Sequence, residues 1–400
     1  MDKYFKFFNT PDIQKWKLIS LVFISGLIIL IAVYRSFNRV CNWKFTHWVF
    51  NYQDEFVKRG LPGEMLRLAG LEVTYDLVSL ISTVLVVILL CVMIYIYSLP
   101  LRNRPHHLGL WFFFWVAIAH PATFQSYHWD IGRYDGFNLL LALSSILIIS
   151  KAPRMFSYYV VPVLLFVALL IHEGSFFMYI PFVIAYWIYK DSDIKHLSYK
   201  FFIFLMLITS TYYVSTNGLV DTLSFDEHVN SLKELHGDLI AASSVMVLHK
   251  GSISENIALT ADHGLQRHRY IFHIGMFIVF MPLAYLSWQI IKFDLFADSH
   301  KNKLRLLFIF SAFSPLLLYP LAHDHFRWWA LALTNFFLAL SILAAEDEKY
   351  LLNIADTINK HKGLAVLILL SGLVVGPLRV VLGFDVVIPV ENFLLGLLNL

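Results

Sequence analysis

Charge is scarce in this chain. Of 400 residues only 15% are Asp, Glu, Lys or Arg, whereas 58% are apolar and 16% aromatic. A water-solvated globular domain carries about a quarter charged residues, so this balance excludes a soluble fold and makes lipid the expected solvent. Cysteine is scarcer still. The two present, Cys41 and Cys91, fall in a first outer loop and inside the second apolar run, which leaves neither a disulfide framework nor a cysteine zinc motif. No Walker loop or nucleotide-binding glycine motif occurs, and no soluble domain is expected, so a cytoplasmic nucleotide-driven reaction is disfavoured.

What the chain does have is a succession of apolar runs, each about as long as a helix needs to cross a hydrocarbon core of about 30 Å. The pattern predicts an all-α, polytopic integral membrane protein with about eleven transmembrane helices in one membrane domain. The expected spans lie near 17–34, 77–98, 108–122, 136–150, 156–171, 175–189, 201–216, 270–291, 304–321, 327–345 and 363–381. The first, which follows a positively charged start but lacks a small-residue cleavage site, is expected to be uncleaved. Lys and Arg concentrate in segments that become cytoplasmic if the N-terminus is inside, and acidic residues and histidines gather on the opposite side. One step decides that orientation. Tyr158 to Tyr189 is an apolar run broken only by His172-Glu173-Gly174. Reading it as a single span would move Lys190, Lys195, Lys200, Lys292, Lys301, Lys303 and Arg305 outside, so a hairpin is expected, with its tip below the outer surface.

Ionisable residues then collect in the outer segments, at depths where lipid makes them expensive. The first outer loop, 35–76, contains Asp54-Glu55 and Lys58-Arg59, followed by the turn residues Gly60, Pro62 and Gly63. Upstream aromatics Trp43, Phe45, Trp48 and Phe50 suggest a helix lying in the interface, and the plainer reading is an anchor whose charges only solvate it. The second segment brings Asp130, Arg133 and Asp135 to the mouth of the fourth span, where two carboxylates can share a cation or divide acid and base roles, or simply satisfy a helix end. At the hairpin tip, Glu173 beside His172 needs a partner from another span, or serves packing alone. The shortest outer loop holds His323, Asp324, His325 and Arg327 before Trp328 and Trp329. Arg327 suits a phosphate at headgroup level, as a guanidinium binds phosphate oxygens bidentately; a snorkelling arginine in an aromatic belt is the alternative. The large outer loop, 217–269, is polar, with a short surface helix expected between Leu232 and Leu248 and a cluster from Asp262 to Arg269.

Asp54-Glu55 directly after the first span, Asp130 and Asp135 between the third and fourth, and further polar outer loops resemble the GT-C glycosyltransferase superfamily over roughly the first half of the chain. The resemblance implies transfer from a polyprenyl-phosphate-linked sugar or oligosaccharide at the periplasmic face of a bacterial inner membrane, in surface polysaccharide assembly. It makes Asp54 the general base with Glu55 as alternate. Asp130 and Asp135 become the second acidic site, which in some relatives binds a divalent cation such as Mg or Mn. Their separation departs from an Asp-x-Asp pair. Chain length, aromatic content and one large outer loop are also similar to O-antigen polymerases, although their arginine-rich loop motifs are not matched. The expected site therefore comprises Asp54, Glu55, Asp130, Asp135 and Glu173 as catalytic carboxylates. Lys58, Arg59, Arg133, His172, His323, Asp324 and Arg327 are the expected substrate-binding groups. Membrane lipid is an expected partner and nucleic acid is not. The rival class is a transporter or flippase of lipid-linked glycans, equally at home with intramembrane carboxylates. An acyltransferase would need His106-His107, the one cytoplasmic histidine candidate.

Overall fold

The computed structural model describes residues 12–249, 257, 258, 260, 261, 269–296, 299–322 and 324–379. His323, the cluster from Asp262 to His268 and the end of the eleventh expected span lie outside the described residues.

Among the described residues the regular elements are all helices. In chain order they are α1 (Asp12–Arg35), α2 (Asn42–Trp48), α3 (Leu61–Leu68), α4 (Tyr75–Asn103), α5 (Leu108–Ala119), α6 (Phe124–Trp129), α7 (Asp135–Lys151), α8 (Arg154–Ile171) and α9 (Ser175–Met178). They continue with α10 (Ile180–Lys190), α11 (Ile194–Asn217), α12 (Phe225–His236), α13 (Ala242–Val245), α14 (Arg269–Leu295), α15 (His300–Ser311), α16 (His325–Glu346), α17 (Glu348–Lys360) and α18 (Lys362–Val375). Local chemistry sets many of the boundaries. Pro121 follows the last turn of α5 and Pro153 that of α7, and neither can continue a helix. Ser224 and Glu227 form a reciprocal capping box at the start of α12.

Seven helices are long and apolar enough to cross a membrane, or eight if α17 and α18, bent by 85° at His361, count as one span. The chain is accordingly a helical, polytopic membrane protein. The expected segments 136–150, 175–189, 304–321 and 363–381 form shorter helices: α7 has 17 residues, α10 has 11, α15 has 12 and α18 has 14. At 1.5 Å per residue α10 is only about 16 Å long. Its full environment explains how so short an element survives, since Phe182, Val183, Tyr186 and Trp187 are all buried by neighbouring helices.

Burial separates an inner pair from an outer ring. The span from Leu108 to Trp129 and α16 are each 89% buried, whereas the other five spans are between 22% and 39% buried. Exposed Phe23 and Leu30 on α1, Leu80 and Val87 on α4, Val163 on α8, Phe201 on α11 and Met281 on α14 form an apolar girdle that only lipid can solvate. The polar connections sort to two ends. At one, Arg59 meets Glu173, Lys58 N–H donates to Gly218, Tyr75 reaches Val40 and Arg133 meets Asp324. At the other, Arg104 meets Glu348, Lys190 meets Glu346 and Lys301 meets Asp347. The break at His172–Gly174 therefore joins the same end as the first loop, as a hairpin requires. The chain beyond the tip runs inward: the Asn335 amide donates to the Met178 carbonyl at 2.8 Å, and Asn335 lies ten residues into α16, about 15 Å along that helix.

Candidate functional site

The site grows from the turn between α6 and α7. Pro121 ends α5 early, the chain re-forms one short helix to Trp129, and a second turn at Gly132 starts α7 at Asp135. Gly132 has φ 93°, a conformation that costs a side-chain-bearing residue but not glycine. A Cβ there would press on Val40 at 3.1 Å, and the Gly132 carbonyl accepts from the Trp48 indole at 2.9 Å. That turn aims Asp130, Arg133 and Asp135 at the N-terminus of α16.

These residues form a continuous ion-pair network. Lys44 Nζ lies 2.9 Å from Asp130 Oδ1, and Arg133 Nε lies 2.8 Å from Asp130 Oδ2. Arg133 Nη1 and Arg327 Nη1 converge on one oxygen of Asp324, at 3.4 and 3.1 Å. Arg327 grips Asp135 with both edges: Nε donates to Oδ2 at 2.5 Å, and Nη2 donates to Oδ1. Each guanidinium also covers an indole, Arg133 over Trp43 at 4.4 Å and Arg327 over Trp328 at 4.8 Å. Burial alone would push the Asp130 carboxyl up, but Arg133 and Lys44 outweigh it and hold Asp130 below the usual carboxylate range. Beneath Asp135 the polar contacts continue inward. Tyr179 OH donates to the Asp135 carbonyl at 3.1 Å and pairs with Tyr127 OH at 3.0 Å.

A second pair lies beside the first. Arg59 binds Glu173 through Nε and Nη2, with contacts of 3.2, 3.0 and 2.5 Å. Among the described residues Arg59 is the only non-glycine with positive φ, at 66°, a conformation costing about 1–3 kcal/mol that surrounding contacts must hold. Burial opposes ionisation of Glu173, yet Arg59, with Lys58 behind it, keeps its carboxyl well below the ordinary range. His172 accepts the Gly174 N–H on Nδ1 at 3.0 Å. Burial, then the neighbouring Arg59, drives its pKa well down, so it is neutral. His47 is neutral for the same reasons, burial first and Arg59 next. It is packed edge-on against Trp43 and Phe50, and neither ring nitrogen has a partner.

A cleft opens over the network, with about 500 Å³ of unfilled space including that open to the outside. Asp130, Arg133, Asp135 and Arg327 line its polar side. Leu85 and Val86 of α4, Phe137 of α7 and Leu331 of α16 line its apolar side. Leu85 and Val86 are flanked on α4 by the lipid-facing Val84, Val87 and Ile88, so the cleft borders the girdle.

The structure thus brings together Asp130, Arg133, Asp135, Asp324 and Arg327, and sets Lys58, Arg59, His172 and Glu173 alongside. It does not bring in the first acidic pair. Asp54 is exposed, and Glu55 accepts from the Thr222 hydroxyl at 2.6 Å and the Asp221 N–H at 3.3 Å; neither lines the cleft. The chain passes from exposed at Asp54 to buried at Val57 and Lys58, and Glu55 is held by the segment at Asp221–Thr222 instead of by the cleft. Two participants are absent from the sequence reading, Lys44 and His47. They are three apart on α2 and share one face of it, a signal hidden because α2 reads as an interfacial anchor. Instead α2 is buried beneath the segment that follows α11, where the Asn42 amide donates to the Asp238 carbonyl and Ser244 to that of Trp43. Among the described residues no three His, Cys, Asp or Glu side chains are placed to hold a metal ion. Asp130 and Asp135 each spend both carboxylate oxygens on Lys or Arg, so the donor set does not fit a divalent cation. Comparisons with family models, with curated proteins and with solved structures returned no match.

Proposed function

We propose that the protein is a GT-C-like membrane glycosyltransferase that takes a sugar from a polyprenyl-phosphate-linked donor at the periplasmic face of a bacterial inner membrane, during surface polysaccharide assembly. One observation carries this reading: Arg133 and Arg327, which line the polar side of a cleft whose other wall adjoins lipid, share a single carboxylate, Asp324, that lies behind them. For a prenyl chain to lie along the apolar wall with its phosphate at the guanidiniums, the lining helices must part, because the enclosed space holds little more than water. Asp324 is the most exposed carboxylate of the network, at 20% against 12% for Asp130 and 6% for Asp135. Its contacts to the arginines are also longer than those of Asp135, so it is the group a phosphate exchanges with.

In the transfer, the acceptor hydroxyl oxygen attacks the anomeric carbon and its proton passes to a carboxylate. The bond from that carbon to the phosphate oxygen breaks, its electron pair remaining on the phosphate. Arg133 and Arg327 stabilise the charge that develops there. Asp130 is the carboxylate for the proton: both it and Asp135 are ion-paired, but Asp130 lines the cleft at 12% exposure against 6% for Asp135, and Asp54 lies off the cleft. Although its pKa is held low, a carboxylate suffices for an acceptor that loses its proton late, as in transfer through an oxocarbenium-like state. The test is a cell whose only copy carries Asp130→Asn: with the protein present at normal level, mass spectrometry of the surface glycan is expected to show loss of a sugar or of polymer length. An unchanged glycan would refute the assignment.

The second reading is a carrier of lipid-linked glycans. It is favoured by the buried Tyr127–Tyr179–Asp135 contacts, which take polarity inward from the cleft. A carrier would leave the glycan structure intact and strand the precursor on one leaflet.

A further inference from the structure

Lys58 and His47 are buried, at 8% and 5% exposure, and none of the site's ion pairs engages either. The Lys58 ammonium makes no hydrogen bond or ion pair among the described residues, because Glu173 is occupied by Arg59. Lys44, Lys58, Arg59, Arg133 and Arg327 face Asp130, Asp135, Glu173 and Asp324, which leaves one cation over. The Lys58 nitrogen is not one of the fully enclosed polar atoms, so an arriving anion can reach a cation that no side chain pairs and that its largely buried stem leaves only thinly solvated. His47 adds two buried ring nitrogens without a partner, one of which must carry a hydrogen to donate. Its ring is packed 4.4 Å from that of Trp43, and Trp43 also carries the Arg133 guanidinium at 4.4 Å. The two halves of the site therefore adjoin across one indole.

We propose that Lys58, Arg59 and His47 form a second oxyanion subsite next to the Arg133–Arg327 pair, so that the protein holds two anionic groups at once. The inference rests on the reading of Arg133–Arg327 as the first anion site. The shared chemistry is an oxyanion accepting from an ammonium, a guanidinium and an imidazole N–H. It has two sources: a second phosphate on the donor, or an acidic group on the acceptor sugar.

The experiment is calorimetric titration of the full-length protein in nanodiscs at neutral pH with inorganic phosphate, pyrophosphate and glucuronate. The variants are Lys58→Met, His47→Phe, which fills the same aromatic niche, and Arg133→Gln. Lys58→Met and His47→Phe are each expected to weaken one of pyrophosphate or glucuronate by about tenfold while leaving inorganic phosphate unchanged. Loss confined to pyrophosphate assigns the subsite to a donor diphosphate, and loss confined to glucuronate assigns it to an acidic acceptor. Wild-type affinity for all three anions in both variants would overturn the subsite. Arg133→Gln reads the first site separately: undiminished phosphate binding there would sink the proposed function and leave the second subsite standing.

Discussion

Removing Arg327 should destabilise the fold at least as much as removing the whole Arg327–Asp135 pair. Asp135 is 6% and Arg327 7% exposed at the side chain, and two parallel hydrogen bonds join them. Arg327→Leu leaves the Asp135 carboxylate buried with no guanidinium, and Asp135→Leu leaves the opposite charge. Each is expected to cost about 3–5 kcal/mol, the usual penalty for orphaning one partner of a buried pair. The double variant removes both charges and restores an apolar contact, so its cost should not exceed that of either single. The coupling is thus about 3 kcal/mol or more, well above the scatter of about 0.5 kcal/mol seen between independent sites. Reversible unfolding in mixed micelles, followed by tryptophan fluorescence, gives all three values. A double variant whose cost equals the sum of the singles would refute the buried pair.

Glu173, whose carboxyl is held well below its ordinary value, contributes stability that is present above the unfolded carboxylate pKa of about 4.3 and is lost as pH falls through the folded value. Arg59→Gln should therefore lower stability at neutral pH and remove that acid-linked loss, because burial alone raises the Glu173 carboxyl, so that the gap between variant and wild type narrows as pH falls below about 4–5, read as melting temperature against pH. Trp43→Leu, which strips the ring from over Arg133, should cost about 1–2 kcal/mol and weaken inorganic phosphate binding, both measurable on the same preparation. Gly372→Val should destabilise by about 1–3 kcal/mol, since even a Cβ there would sit 2.6 Å from the Ala119 carbonyl oxygen; thermal unfolding of the variant decides it. Cysteines placed at Asp54 and at Lys195 should be labelled by impermeant maleimide from opposite sides of sealed vesicles, and labelling from one side would contradict the hairpin at His172–Gly174.

The long runs of α1, α4, α8, α11 and α14 were legible because lipid demands about twenty apolar residues of any helix that faces it, and α16, though enclosed, is as long and apolar. Helices shielded by other helices escape that demand. For this reason α10 is shorter than hydropathy suggests, and α17, an amphipathic helix tucked under the bundle, reads as a mere connection. Of the site, Asp130, Arg133, Glu173, Asp324 and Arg327 stood out because charge at membrane depth is expensive. Lys44 and His47 did not, since the aromatic spacing of α2 fits a surface anchor equally well and only the covering segment around Asp238 and Ser244 reveals its burial. Asp54 and Glu55 illustrate the converse: adjacent carboxylates after a first span look like a site, but the chain turns inward only at Val57 and Lys58 and leaves Asp54 exposed.

The central claim is that the cleft between α4, α7 and α16 receives a phosphate-linked lipid beside Arg133 and Arg327. A photoreactive phenylalanine analogue in place of Phe137, which lines the apolar wall, should cross-link in native membranes to a polyprenyl-phosphate-linked glycan identified by mass spectrometry. Combining it with Arg133→Gln should abolish the adduct. Adducts with bulk phospholipid alone, or a polyprenyl adduct indifferent to Arg133, would contradict the account.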